Sequence, residues 1–243
     1  MTDHPWVLSR ITLRRDATAA ALAPILLPDG RHSPTPLAIG HRLIWSLFAD
    51  QPERDRDFLW REIEPGRFIT FSARAPRRAS DLVTVDEPKL LDVTWRTGQR
   101  LAFSLRANPT VARRDGKGRR GKRHDVIMDA LRPIERGKDR RTARPNLERE
   151  RGLAWLSARA ERCGFALETD VNGTPCTQVD GYRQHVIKRR KGRRAVLSSL
   201  DFDGLLRITA PQVFAAALCQ GVGPAKAFGC GLLLVRPAPL AAE

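Results

Sequence analysis

Three groups of residues in this chain have types and spacings that could do chemistry. His41 is the first, lying between Leu37 and Trp45 at helical spacing. An imidazole with its ordinary pKa near 6.5 trades protons at neutral pH, as a general acid or base must. A packed helical histidine without chemistry is the plainer reading of the same pattern. The second group is the segment 221–231, GVGPAKAFGCG, with glycines at 221, 223, 229 and 231. It lacks the GxxxxGK[ST] of a Walker loop, and Lys226 stands where a dinucleotide fingerprint needs its third glycine. Glycines there let backbone N–H groups approach phosphates, with Lys226 adding charge; a helix C-cap followed by a tight turn into a strand accounts for them equally well. The third group is two basic runs. Residues 113–145 hold thirteen Lys/Arg against five Asp/Glu, and residues 183–194 hold seven against none. Together they supply +15 of the formal net charge of +16, so the remaining body is almost neutral. Arg113, Arg114, Lys117, Arg119 and Arg120 in the first run are candidate phosphate contacts. So are Lys188, Arg189, Arg190, Lys191, Arg193 and Arg194 in the second, with Gly223 and Lys226 of the glycine loop.

Other chemistries find little support. His124 and His185 lie inside the basic runs, where neighbouring cations disfavour the imidazolium, so they read as phosphate or base contacts. Asp201 and Asp203 mimic a DxD pair, but Asp203-Gly204 between apolar runs is a turn signal, and no second carboxylate cluster accompanies it. No metal and no cofactor is expected. The four cysteines form no CxxC pair, which points to reduced thiols in a cytoplasmic protein. No apolar run approaches the ~20 residues of a membrane span, so no membrane partner is expected. A sequence pI near 11.1 calls for a polyanion, and nucleic acid is the commonest. With a single tyrosine and no aromatic strand motif, arginine-rich loops suit an A-form stem read by its phosphates and shape better than a threaded single strand.

These residues need elements to hold them. Residues 6–13 alternate as a strand, and Thr35-Pro36 can open a helix over 37–48 with Leu37, His41, Ile44, Trp45 and Phe48 on one face. Strands follow at 58–63 and 68–74 around the turn Pro65-Gly66, then a helix over 77–85 and a strand over 90–95. After Thr97-Gly98 the order restarts. A strand at 100–106 leads into the first basic run, whose segment 113–125 reads as a Gly-rich loop. Asn146 can cap a helix that Gly164 ends, and the second basic run reads as a hairpin with Gly192 near its tip. The strand over 195–208 is expected to bend around 201–204, before a short helix at 211–220 and a last strand at 231–236. The order predicts an α+β protein of two tandem ferredoxin-like (RRM-like) βαββαβ domains, 1–97 carrying the helix of His41 and 98–243 carrying the basic runs and the glycine loop.

The residues also carry a family likeness. The ending GVGPAKAFGCGLLLVRP resembles the glycine-rich C-terminal signature of the CasE family, the CRISPR repeat-RNA endoribonucleases of type I-E systems. The stretches VLSRITLRR, GHRLIWSLF, RLAFSLRANPT and GLAWLSARAERCGF resemble that family in the same order, so the likeness spans essentially the whole chain. The resemblance implies two ferredoxin-like domains, binding of a CRISPR repeat hairpin in a basic groove, and metal-independent cleavage at the base of the stem. It further implies that the product guide RNA stays bound and that the chain joins other Cascade subunits. It makes His41 the catalytic histidine, and it expects a cation from 188–194 at the transition state. The family often carries a tyrosine one turn before this histidine, where this chain has Ala38. The competing readings are a non-catalytic RNA-hairpin-binding subunit, in which His41 only packs, and a general nucleic-acid packaging protein.

Overall fold

The computed structural model describes residues 6–16, 36–51, 53–78, 80–91, 94–113, 121–188 and 194–239. The alternating apolar residues at the start form β1 (Trp6–Leu13), and after it comes α1 (Pro36–Ser46). Then follow β2 (Phe58–Glu64), β3 (Arg67–Ser72), β4 (Val83–Val85) and β5 (Lys89–Leu91). These strands make one antiparallel sheet in the order β2-β3-β1-β4, with β5 pairing the other end of β1. Leu43, Ile44, Leu47 and Phe48, in and just after α1, close a core over Ile11, Phe58, Trp60 and Phe68. Each such side chain contributes roughly 1.5–3 kcal/mol on leaving water, and that burial holds α1 on its sheet.

The second half begins with β6 (Arg100–Ala107), the ribbon of β7 (Thr110–Arg113) and β8 (Lys122–Asp125), and α2 (Val126–Leu131). The long helix α3 (Lys138–Ala160) leads through a 3₁₀ turn to β9 (Phe165–Leu167). Next come β10 (Thr177–Lys188), β11 (Arg194–Ile208), α4 (Pro211–Gln220), a second 3₁₀ turn (Lys226–Phe228) and β12 (Leu233–Pro237). The second sheet runs β10-β11-β6-β12, with β9 on the far end of β11. With the off-path strands β5 and β9 left aside, both sheets show the same strand order counted within each half, 2-3-1-4. Their cores are not independent. Leu59 and Phe71 of the first sheet are buried in one cluster with Leu105, Trp155, Phe202, Phe214 and Leu233 of the second half. Arg61 of β2 donates to Ser104 Oγ of β6 at 2.8 Å, and Arg106 clasps Asp201 at 2.7 and 2.8 Å.

Several elements differ from the sequence reading. The helix over 77–85 is absent: residues 80–82 are irregular and 83–85 form β4, which extends β1 by pairing Leu13 with Val83. β11 is unbroken through 201–204, and the irregularity lies opposite, between Asp180 and Arg183 of β10. Asp203-Gly204 is therefore no turn. Gly204 is required in mid-strand because a Cβ there would lie 2.4 Å from the Cys176 carbonyl oxygen. Asp201 serves as the counter-ion of Arg106. The helix expected from Asn146 starts at Lys138, with Pro145 inside it. Within the run read as a Gly-rich loop, 122–125 pair as β8. The cap expected at Thr35 and the hairpin tip at Gly192 lie outside the described residues.

Candidate functional site

The structure seats His41 between the two halves of the chain, and Trp60 is what makes that possible. Trp60 of β2 is 2% exposed, with Gly40 of α1 on one side and Gly229 of the glycine loop on another. A Cβ at Gly40 would lie 2.9 Å from the indole, and one at Gly229 3.2 Å, so only glycine allows both segments this close. Gly229 also has φ +75°, the left-handed region in which a side chain is strained. The Trp60 indole N–H donates to the Ala227 carbonyl at 3.3 Å. The glycine loop is thereby clamped to the helix of His41, and Phe228 comes to 5.7 Å from the imidazole, ring centre to ring centre. Trp45 stands 5.6 Å away on the other side. The buried face of α1 is Leu43 and Ile44; His41 and Trp45 lie at its edge, Trp45 36% exposed, and not on the core-facing stripe that the spacing suggested.

The electrostatics of this pocket are cationic. Burial is the main force pushing the His41 pKa below its ordinary 6.5, with the Arg42 and Arg56 charges acting the same way and the nearby Ala227 carbonyl acting against them. Its Nδ1 is enclosed and makes no hydrogen bond. Lys226, half-buried on the 3₁₀ turn beside Phe228, is pushed down by burial and by the Arg56 charge, with Cys163 opposing. The structure thus brings the 3₁₀ turn that carries Lys226 to His41 through Phe228, and it adds a cation that sequence reasoning missed, Arg56, whose charge reaches both His41 and Lys226. Nothing in QPERDRDF distinguishes Arg56 from Arg54, because only the folded pairing decides which arginine is left over. Arg54 reaches Asp50 at 3.5 Å and Asp57 at 3.9 Å, and Arg74 reaches Asp57 at 2.6 Å and Asp50 at 3.2 Å. Arg56, among the described residues, has no acid and no hydrogen-bond partner.

The described parts of the basic runs sit elsewhere, the first on the β7-β8 ribbon and the helices after it, the second on β10 and β11 of the second sheet. Arg113 ends β7, exposed, and is paired with Asp129 of α2. Arg114, Lys117, Arg119 and Arg120 lie outside the described residues, as do Arg189, Arg190, Lys191 and Arg193. Lys188 and Arg194 face each other in register where β10 and β11 approach the hairpin tip. The two runs are braced at their bases. The Tyr182 hydroxyl of β10 donates to Asp125 at the end of β8 at 2.6 Å, and Asp125 also caps α2 through the Ile127 and Met128 amides. The Arg144 guanidinium of α3 lies over the Tyr182 ring at 4.9 Å and donates to Glu148 at 2.9 Å. His185 is bonded to Ser199 across the sheet at 2.9 Å, so its partner is a hydroxyl of the protein itself. Gly223 is a packing residue here, since a Cβ would lie 3.0 Å from Trp155.

Burial pushes the Cys163 thiol up, that of Cys219 to about 11 and that of Cys230 to about 12, so none of these is an activated nucleophile. Among the described residues no three His, Cys, Asp or Glu side chains gather as a metal site requires, and no helix is long and apolar enough to cross a membrane.

Comparison with known proteins gives a consistent result. A family model described as CRISPR associated protein matches residues 7–237. The CRISPR-associated endoribonuclease Cse3 of Thermus thermophilus is 33% identical over 212 residues, 81% of this chain and 88% of that protein. The CRISPR system Cascade subunit CasE of Escherichia coli K12 is 27% identical over 202 residues, 81% of this chain and 90% of that protein. Among solved structures, the endoribonuclease Cse3 bound to a 19-nucleotide RNA is similar with a TM-score of 0.69 at 26% identity, over 96% of this chain and all of that one.

Proposed function

The chain belongs to the CRISPR-associated protein family, and on that footing we propose that it is a metal-independent endoribonuclease that cuts precursor CRISPR RNA at its repeat hairpin and stays on the product as a Cascade subunit in the cytoplasm. Two ferredoxin-like domains meeting near residues 97–98 form its body, a reading supported by the strand order common to both sheets. The observation that carries the activity is the His41 pocket: an imidazole flanked by Trp45 and by Phe228 of the 3₁₀ turn that also carries Lys226. His41 is held below its ordinary pKa, so at neutral pH it is the uncharged form that accepts a proton. With Nδ1 enclosed, the exchange runs through Nε2. In the reaction His41 takes the proton of a ribose 2′-hydroxyl. The 2′ oxygen bonds to the adjacent phosphorus, the P–O5′ bond breaks, and the 5′ oxygen leaves with a proton from solvent or from the charged imidazole. The products are a 2′,3′-cyclic phosphate and a 5′-hydroxyl. Lys226 supplies positive charge where the pentacoordinate phosphate gains negative charge. The two basic runs supply the grip on the stem, through Arg113 and the hairpin ends at Lys188 and Arg194.

The test incubates a labelled repeat hairpin with the unchanged protein and with His41→Ala, in EDTA. The unchanged protein is expected to cut once and leave a cyclic phosphate, and the variant to bind without cutting. Equal cutting by His41→Ala would overturn the assignment of His41. Binding without cutting by the unchanged protein would favour a purely RNA-binding subunit.

A further inference from the structure

The family resemblance expects the transition-state cation in the second basic run, yet a half-buried arginine without a partner among the described residues lies on the opposite half of the chain. Arg56 precedes β2 by two positions and lines a cleft of about 250 Å³ with Trp45, whose ring packs on His41, and with Phe58, which packs on Trp45. Of the three acids lining that cleft, Asp50 and Asp57 are held by Arg54 and Arg74, and Asp55 is exposed to solvent and forms no ion pair with Arg56. Arg56 is half-buried, its Nε is closed off from water without an acceptor, and no carboxylate pairs with it among the described residues. Its charge is felt by both His41 and Lys226. Arg56 and Lys226 are both partly desolvated and their charges oppose each other, which an arriving anion relieves. Position 38, one turn before His41 on α1, is alanine and offers no side-chain donor. Arg42 follows His41 directly and so leaves the helix on another face.

Resting on the reading of His41 above, we infer that Arg56 is a further catalytic residue, whose guanidinium grips the non-bridging oxygens of the scissile phosphate. A guanidinium suits this place because its planar fork presents two parallel N–H groups to two phosphate oxygens and never loses its charge, whereas an ammonium offers a single point. No covalent step involves it. It stabilises the charge that builds on the phosphate as the 2′ oxygen attacks.

The experiment compares unchanged protein, Arg56→Ala, Arg56→Lys and His41→Ala on a repeat hairpin in single-turnover cleavage at saturating RNA, together with binding and melting measurements. A parallel substrate carries sulfur at one non-bridging oxygen of the scissile phosphate, each diastereomer taken separately. Arg56→Ala is expected to lose about 10²-fold in rate, as loss of one preorganised donor does, while RNA affinity and melting temperature stay near those of the unchanged protein. Arg56→Lys is expected to lose roughly 10-fold, keeping charge but not the fork. The penalty that sulfur imposes on one diastereomer should disappear in Arg56→Ala, which a merely structural role would not produce. A full rate for Arg56→Ala at saturating RNA, or a slowed variant that keeps the whole sulfur penalty, overturns the assignment while His41→Ala still marks the active centre. If the unchanged protein does not cut, the reading of the site fails and the role of Arg56 with it.

Discussion

The His41 pocket and the basic arms hold positive charge in opposite ways. At the pocket there are few cations, half-buried, and Arg56 is left without a counter-ion. On the arms the described cations Arg113, Lys122, Arg123 and Arg183 are exposed, and Arg113 has Asp129 as its partner. A charge in water is screened within about 8–10 Å at ordinary ionic strength and serves to collect a polyanion. A charge partly stripped of water interacts more strongly with one atom group at short range and serves chemistry. On the proposed function, the contrast assigns cutting to the joint between the halves and holding to the β7-β8 ribbon and the second sheet, so the two should come apart under mutation.

The largest effect should come from His41→Ala, a fall of about 10²–10⁴ in single-turnover rate with RNA affinity preserved; a parallel loss of affinity would break the division. The same residue fixes the pH response. A pKa lowered by burial means that the free enzyme loses its base only as pH falls below 6.5, so the rate at subsaturating RNA should rise through a midpoint under 6.5 and then level, and that limb should vanish in His41→Ala. Next comes Trp60→Ala, which removes the clamp between α1 and the glycine loop. It should cost about 3–5 kcal/mol in denaturant unfolding, the range for a buried large aromatic, and abolish cleavage. Replacing Arg189 and Arg190 together by alanine probes the other side of the contrast. The log–log salt dependence of binding should flatten by roughly 1.4–1.8 if each arginine meets one phosphate, while cleavage at saturating RNA persists. Smallest is Tyr182→Phe, which unties the two arms at their bases. Loss of its hydrogen bond to Asp125 should lower stability by about 1–2 kcal/mol in denaturant unfolding and weaken RNA binding a few-fold without changing the saturated rate.

Much of the fold could be read from the chain because its signals are local. The alternation in 6–13, the Pro65-Gly66 turn and the apolar helix 211–220 each specify an element within a few residues, and each is present. The misreadings fall where distant contacts decide. Residues 83–85 become a strand because β1 offers them an edge, and Gly204 serves a close crossing by the Cys176 carbonyl although Asp-Gly reads as a turn. The site divides along the same line. His41 and Lys226 were visible as residue types in suggestive segments. Arg56 was not, because its distinction lies in lacking a partner, and that depends on Asp50, Asp57, Arg54 and Arg74 finding one another first.

The bond between the Trp60 indole and the Ala227 carbonyl spans 167 residues of sequence. A growing polypeptide exposes its imidazole early but meets the loop that completes the pocket only after the second sheet has been threaded and folded, since closing so long a loop has to follow the local contacts. On the proposed function, nascent or partly unfolded molecules would therefore lack a finished pocket, and strand scission would double as a report that the whole chain has reached its native state.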